Sequence, residues 1–199
     1  LPKRSSLENM YVQYSQGFPG VTVENDSIHV DRQQDNVPES MGQLYTAVEK
    51  NYIDRYPISS EYAEGLYAFL ELENLSPRAV KGQITGPFTW GLTVADEEGR
   101  AIIYDNQFHD MLAFFLGLKA GWQEKILSQI SKNTIIFVDE PYMASFGSMA
   151  IPFDKEIVIK LLNKTFFGIK GIKGIHCCGN TDWPILLETT TNIISFDTY

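Results

Sequence analysis

Thr134-Ile135-Ile136-Phe137-Val138-Asp139-Glu140-Pro141 is the stretch that decides the fold class. Its apolar and β-branched residues follow one another without alternation, as in a parallel strand covered on both faces. The run stops at two acids and a proline, which reads as a strand end opening into a loop. On its amino side, Phe108, Met111, Leu112, Phe115, Leu118, Trp122, Ile126 and Ile130 recur at helical spacing and predict one long amphipathic helix ending near Lys132. On its carboxyl side, Asp154 can cap a helix carrying Ile157, Val158, Leu161, Leu162 and Phe166, which ends at Gly168.

The same rhythm extends in both directions. Ala79 to Thr85 reads as a strand halted by Gly86-Pro87, with a loop predicted from there through Asp96, Glu97, Glu98 and Gly99. Gly171 to Ile175 leads into His176-Cys177-Cys178-Gly179, a short helix starts at Thr181 or Asp182 with Pro184 in its first turn, and Asn192 to Phe196 is a final strand. Strand, polar strand end, helix and strand thus repeat from residue 79 onward, which predicts parallel β/α units. Periodicity alone does not separate a (β/α) barrel from a doubly wound sheet, but both gather ligands at the carboxyl ends of strands. Upstream, Met41, Leu44, Tyr45, Val48 and Tyr52 predict a helix ending before Pro57, and Tyr62, Leu66, Phe69 and Leu70 a second, both covering a sheet. Residues 1–38 read as polar loop with short extended segments at Val21-Thr22-Val23 and Ser27 to Val30.

At 199 residues and 44% hydrophobic content, the chain can bury a sizeable core and is most simply one domain spanning residues 1–199. It begins without Met and ends at Tyr199 directly after a strand-like run, where a covering helix is expected, so it reads as part of a larger barrel. A net charge of −9 with no Lys/Arg cluster argues against nucleic acid or an anionic membrane as partner. No apolar run reaches the roughly eighteen residues of a membrane span, and the start lacks a secretory signal, so the expected location is the cytoplasm. No glycine-rich nucleotide fingerprint follows any strand.

The predicted strand ends carry the chemistry. His176 and Cys178 stand two apart, and extended backbone directs both to one side, so imidazole and thiolate can converge on one zinc ion. The plainer reading is a small buried thiol beside a histidine that bonds backbone. Cys177 should point the other way, into the helix layer. Asp139 and Glu140 offer two carboxylates for catalysis or for an amine; as plain structure they are a solvated strand end and a helix cap. Asp197, ending the last strand, can be a third metal ligand, a partner of His176, or a cap. Thr85, Gly86 and Trp90 are candidate substrate-binding positions after the first strand, whereas Trp122 and Trp183 read as packing. His29 and His109 have no ligand-spaced neighbours, and His109 lies off the apolar stripe, so both read as surface or structural residues.

Taken as an ordered set, Lys81 to Thr89 (KGQITGPFT), Val138-Asp139-Glu140-Pro141, His176-Cys177-Cys178-Gly179 and Ile193 to Asp197 (IISFD) resemble the strand-end motifs of one superfamily. It contains cobalamin-independent methionine synthase, the coenzyme M methyltransferases and uroporphyrinogen decarboxylase. The resemblance implies a TIM-type (β/α)8 barrel, incomplete in this chain. It also implies a methionine-synthase-like methyltransferase in which zinc on His176 and Cys178 activates a small thiol. The family's acid after the sixth strand resembles Asp197, a shorter carboxylate than its Glu, and the family's later cysteine ligand has no counterpart. Asp139 or Glu140 would lie near the amino-acid substrate. The methyl donor could be a folate, a methylated corrinoid protein or a small metabolite, and a homo-oligomer is compatible. Two rival functions stand beside this one: a non-catalytic ligand-binding barrel that has lost zinc, and a decarboxylase-like lyase, which would need arginines where these strand ends carry acids.

Overall fold

A computed structural model of the chain describes residues 6–24, 27–146 and 153–198. After a 3-10 turn at Ser6–Glu8 come strands β1 (Val21–Glu24) and β2 (Ser27–Val30), which form an antiparallel hairpin, so both short extended segments are strands. Helix α1 (Val37–Lys50) carries Pro38 in its first turn and ends where Asn51 turns left-handed at φ 51°. Helix α2 (Glu64–Leu70) follows, then β3 (Val80–Thr85).

The first departure from expectation comes next. Residues 87–93, predicted as loop, form helix α3 (Pro87–Thr93). Pro87 sits in the first turn, where a missing N–H is no loss, and a distant side chain described below caps the next N–H groups. The two-residue strand β4 (Ala95–Asp96) joins β2 in parallel. Helix α4 (Asn106–Leu127) starts on Asp105, whose carboxylate accepts from Gln107 and Phe108 N–H, and it stops short of the expected Lys132. The remaining elements are β5 (Thr134–Asp139), α5 (Lys155–Phe166), β6 (Ile172–Cys177), α6 (Trp183–Leu187) and β7 (Ile193–Phe196).

The fold is mixed α/β. Its main sheet is parallel, in the order β3-β5-β6-β7. Alternation along these strands produces two unlike faces. Val80, Ile84, Ile136, Val138, Ile175 and Cys177 point one way and are buried with α4 and α5, so Cys177 does face the helix layer. On the opposite face, Lys81, Gln83 and Ile172 are exposed, Ile135, Asp139, His176, Ile193 and Ser195 are half-buried, and only Thr85, Phe137 and Gly174 are buried. No closed barrel forms among the described residues.

The hairpin and α1 share the same hydrophobic core through Phe18, Val30, Met41 and Leu44. Phe18 meets Trp90, Phe108 and Phe115 edge-on at centroid distances of 5.2, 6.1 and 5.3 Å. Arg32, just beyond β2, fastens this part to the rest, lying 3.0 Å from each of Asp96, Glu97 and Asp105. Among the described residues, no helix is long and apolar enough to cross a membrane.

Candidate functional site

Parallel pairing aligns the strand ends into one row. Thr85 is the partner of Asp139, Asp139 of His176, and His176 of Ser195. Residues at the same height in paired parallel strands share a face, so these side chains emerge together on the less covered face, at its carboxyl edge. Cys178 and Asp197 lie one residue beyond the last pair, Cys177 with Phe196. Both are exposed, and both lie just outside the strands, Cys178 in a bend.

His176 is half-buried, and its Nδ1 lies 3.0 Å from Ser195 Oγ. A Nδ1–H donated to that hydroxyl would orient the ring and leave Nε2 as a metal-binding nitrogen. Cys177 instead places Sγ 3.4 Å from the Gly179 carbonyl, and burial pushes its thiol up, as suits a packing residue. The nitrogen and sulfur of His176 and Cys178 suit zinc in chemistry. A complete shell is another matter: no three His, Cys, Asp or Glu side chains gather closely enough to hold a metal among the described residues.

Asp139 and Glu140, adjacent in sequence, have different environments. Burial raises the Asp139 carboxyl, opposed by the charges of Lys81 and His176. Glu140 is fully buried, and its oxygens accept from Phe88 N–H at 2.9 Å, Thr89 N–H at 2.8 Å and the Thr89 hydroxyl at 2.7 Å. Burial carries its pKa up to about 7 in spite of those donors. This is the side chain that caps α3 and turns the predicted loop into a helix. Gly86 leaves it room, because a Cβ there would fall on the Glu140 carboxyl.

The other predicted substrate-binding positions are drawn into the framework. Trp90 is fully buried and donates its indole N–H to the Tyr11 carbonyl at 2.8 Å, which makes it a core residue rather than a pocket wall. Thr85 donates its hydroxyl to the Met10 carbonyl at 2.7 Å. His109 is buried with Nδ1 3.1 Å from the Ile103 carbonyl, structural rather than surface. Cavities of about 600 Å³ beside Arg32 and Tyr45 and about 690 Å³ beside Lys132 and Lys170 are lined by none of the strand-end residues.

Two residues join the site unannounced. Ser195 stood within a quoted motif, and its spacing from Asp197 repeats that of His176 and Cys178, a signal that could have found it. Tyr14 had no such signal. Its buried hydroxyl donates at 2.8 Å to the Gln83 carbonyl, and burial, with the Asp139 charge adding to it, pushes the phenol far up. Val80 and Gly86 direct their N–H groups to the β5 side, at Asn133 and Asp139, so the Gln83 carbonyl points to the outer edge of β3. Residues 10–14 therefore run along that edge beside the site.

Comparisons with models of protein families, with curated proteins and with solved structures find no match.

Proposed function

We propose that this chain forms part of a TIM-type barrel enzyme that transfers a methyl group to a small thiol, in the manner of cobalamin-independent methionine synthase. The observation that carries the reading is the row Thr85, Asp139, His176 and Ser195 at the carboxyl edge of four parallel strands, with Cys178 and Asp197 just past it. Active sites of β/α barrels occupy that edge. The burial of one sheet face under helices, with the other less covered, suits a barrel wall better than a doubly wound sheet.

In this reading His176 Nε2 and the Cys178 thiolate would be two zinc ligands, Ser195 would orient the imidazole, and Asp197 would have to move in as a third donor, because no three such side chains gather among the described residues. Zinc, when bound there, would lower the pKa of a coordinated thiol so that it is a thiolate at neutral pH. Asp139 accepts hydrogen bonds from the substrate and is available to hold a cationic group. The reaction forms a carbon–sulfur bond and breaks the bond between the methyl group and its donor.

Zinc content measured by elemental mass spectrometry tests this on the intact chain and three variants. The expected result is zinc near one per chain, lost in His176→Ala and Cys178→Ser and kept in Cys177→Ser. Equal losses in both cysteine variants would sink the alternation argument. Absence of zinc throughout would favour the non-catalytic ligand-binding barrel, and porphyrin binding the decarboxylase-like reading.

A further inference from the structure

Charge is sorted along the parallel strands of this chain. Arg78, Lys81, Lys132, Lys170 and Lys173 stand just before or within the first residues of β3, β5 and β6, at the amino edge of the sheet. At the other edge the composition reverses. Residues 84–99, 133–154 and 174–199 hold the carboxyl ends of all four strands and the chain that leaves them, and they contain no Lys or Arg. The same stretches hold Asp139, Glu140, Asp154, Asp182 and Asp197 among their acids.

Of the two acids that end β5, only Asp139 can meet a ligand. Glu140 has no exposure, and both its carboxylate oxygens are engaged at Phe88 and Thr89. Asp139 is half-buried on the less covered face, and its carboxylate has no hydrogen-bond partner among the described residues. Burial raises that carboxyl in spite of the charges of Lys81 and His176. Lys81, the one Lys or Arg on this face of the described strands, has its ammonium 2.8 Å from Gln83 Oε1 and 4.8 Å from the centre of the Phe137 ring. A half-buried carboxylate in this state is stabilised by a cation brought beside it.

We propose that the methyl donor of this site is a sulfonium, a cation that becomes a neutral thioether as its methyl group leaves. The inference rests on the reading of methyl transfer to a thiol given above, and it asks nothing of a metal. The acceptor thiol first loses its proton to solvent. A lone pair of the resulting thiolate forms the new carbon–sulfur bond, and the old carbon–sulfur bond breaks with its electron pair staying on the departing sulfur. An anion and a cation thus give two neutral products, and the leaving group needs no proton. A folate, by contrast, needs a proton on its departing nitrogen and carries carboxylates to an acidic edge, where like charges oppose binding.

The test is isothermal titration calorimetry on the full chain with a chelator present, so that zinc plays no part. S-methylmethionine is compared with methionine, which lacks one methyl group and the sulfonium charge, and with 5-methyltetrahydrofolate. The sulfonium is expected to bind about tenfold or more tightly than either at low salt, with the advantage shrinking as salt is raised. Asp139→Asn should erase the advantage over methionine, whereas Asp54→Asn, at the amino edge, should leave it intact. S-adenosylmethionine in the same titration separates the sources of the sulfonium: tighter binding than S-methylmethionine marks a nucleoside donor and weaker binding an aliphatic one, and either keeps the class. Equal binding of S-methylmethionine and methionine, tighter binding of the folate, or an advantage that survives Asp139→Asn overturns the proposal. Mass spectrometry of the products, with zinc and a thiol present, separates this inference from the reading beneath it. Transfer from the folate or from methylcobalamin and from no sulfonium overturns the inference and leaves the methyltransferase reading standing; transfer from no donor overturns both.

Discussion

Lys119 is a cation placed where a cation is costly, and replacing it should stabilise the protein in a pH-dependent way. It projects from α4 with no exposure, its Nζ 3.0 Å from the Pro57 carbonyl and 5.0 Å from the centre of the Phe115 ring. Burial alone brings its pKa down from 10.5 to about 7. Because the folded-state value lies below the unfolded one, the unfolded chain holds the extra proton between pH 7 and 10.5, and stability rises with pH across that window. Below pH 7 the amine is charged in both states and the full penalty applies, about 5 kcal/mol at 1.36 kcal/mol per pH unit; at pH 9 about 2 kcal/mol remains. Lys119→Met keeps the stem and removes the charge, giving up about 1 kcal/mol of hydrogen bonding to Pro57. The variant should therefore be more stable than wild type by about 4 kcal/mol at pH 6 and about 1 kcal/mol at pH 9. Urea denaturation of both proteins at pH 6, 7.5 and 9 measures this, with the difference cancelling groups common to both. A difference that stays constant over that range, or a variant less stable at pH 6, would refute the account.

Other substitutions probe separate parts of the fold. Cys177→Ser places a hydroxyl in the helix layer and should lower stability by about 1–3 kcal/mol in chemical denaturation, without the loss of zinc expected for Cys178→Ser. Asp105→Ala removes the α4 cap and one partner of Arg32, for about 1–2 kcal/mol. Gly168→Ala would drive a methyl into the Gly117 carbonyl of α4, backbone against backbone, and should lower stability by about 1–3 kcal/mol or more, read as a fall in the urea midpoint.

The parallel strands were the most legible part of the molecule, for a physical reason. Burial of the Thr134 to Val138 run demands uninterrupted apolar residues, and that demand leaves a mark in sequence independent of anything distant. The long helix was equally plain in its apolar stripe, although its end was not, since Gln129 and Ile130 continue the pattern in hydrogen-bonded turns after α4 has stopped. Helix α3 was hidden because its stability comes from elsewhere: seven residues that start with proline and contain Gly91 have little helical preference, and the carboxylate that caps them is about fifty positions away. Local propensity cannot register a cap supplied from another strand.

The same distinction separates the legible from the illegible residues of the site. Side chains two apart at a strand end announce a shared face, so His176 with Cys178 could be read, and Ser195 with Asp197 could have been. Which of two adjacent acids faces the site could not be read, because both satisfy the same pattern. The outcome turns on where donors happen to be. Phe88 and Thr89 present theirs to Glu140, which sinks out of reach, while Asp139, one residue earlier, stays half-buried level with His176. Tyr14 was beyond reach for a stronger reason: the Gln83 carbonyl it satisfies is open only because β3 lies at an edge, a property of the assembled sheet and of no residue in it.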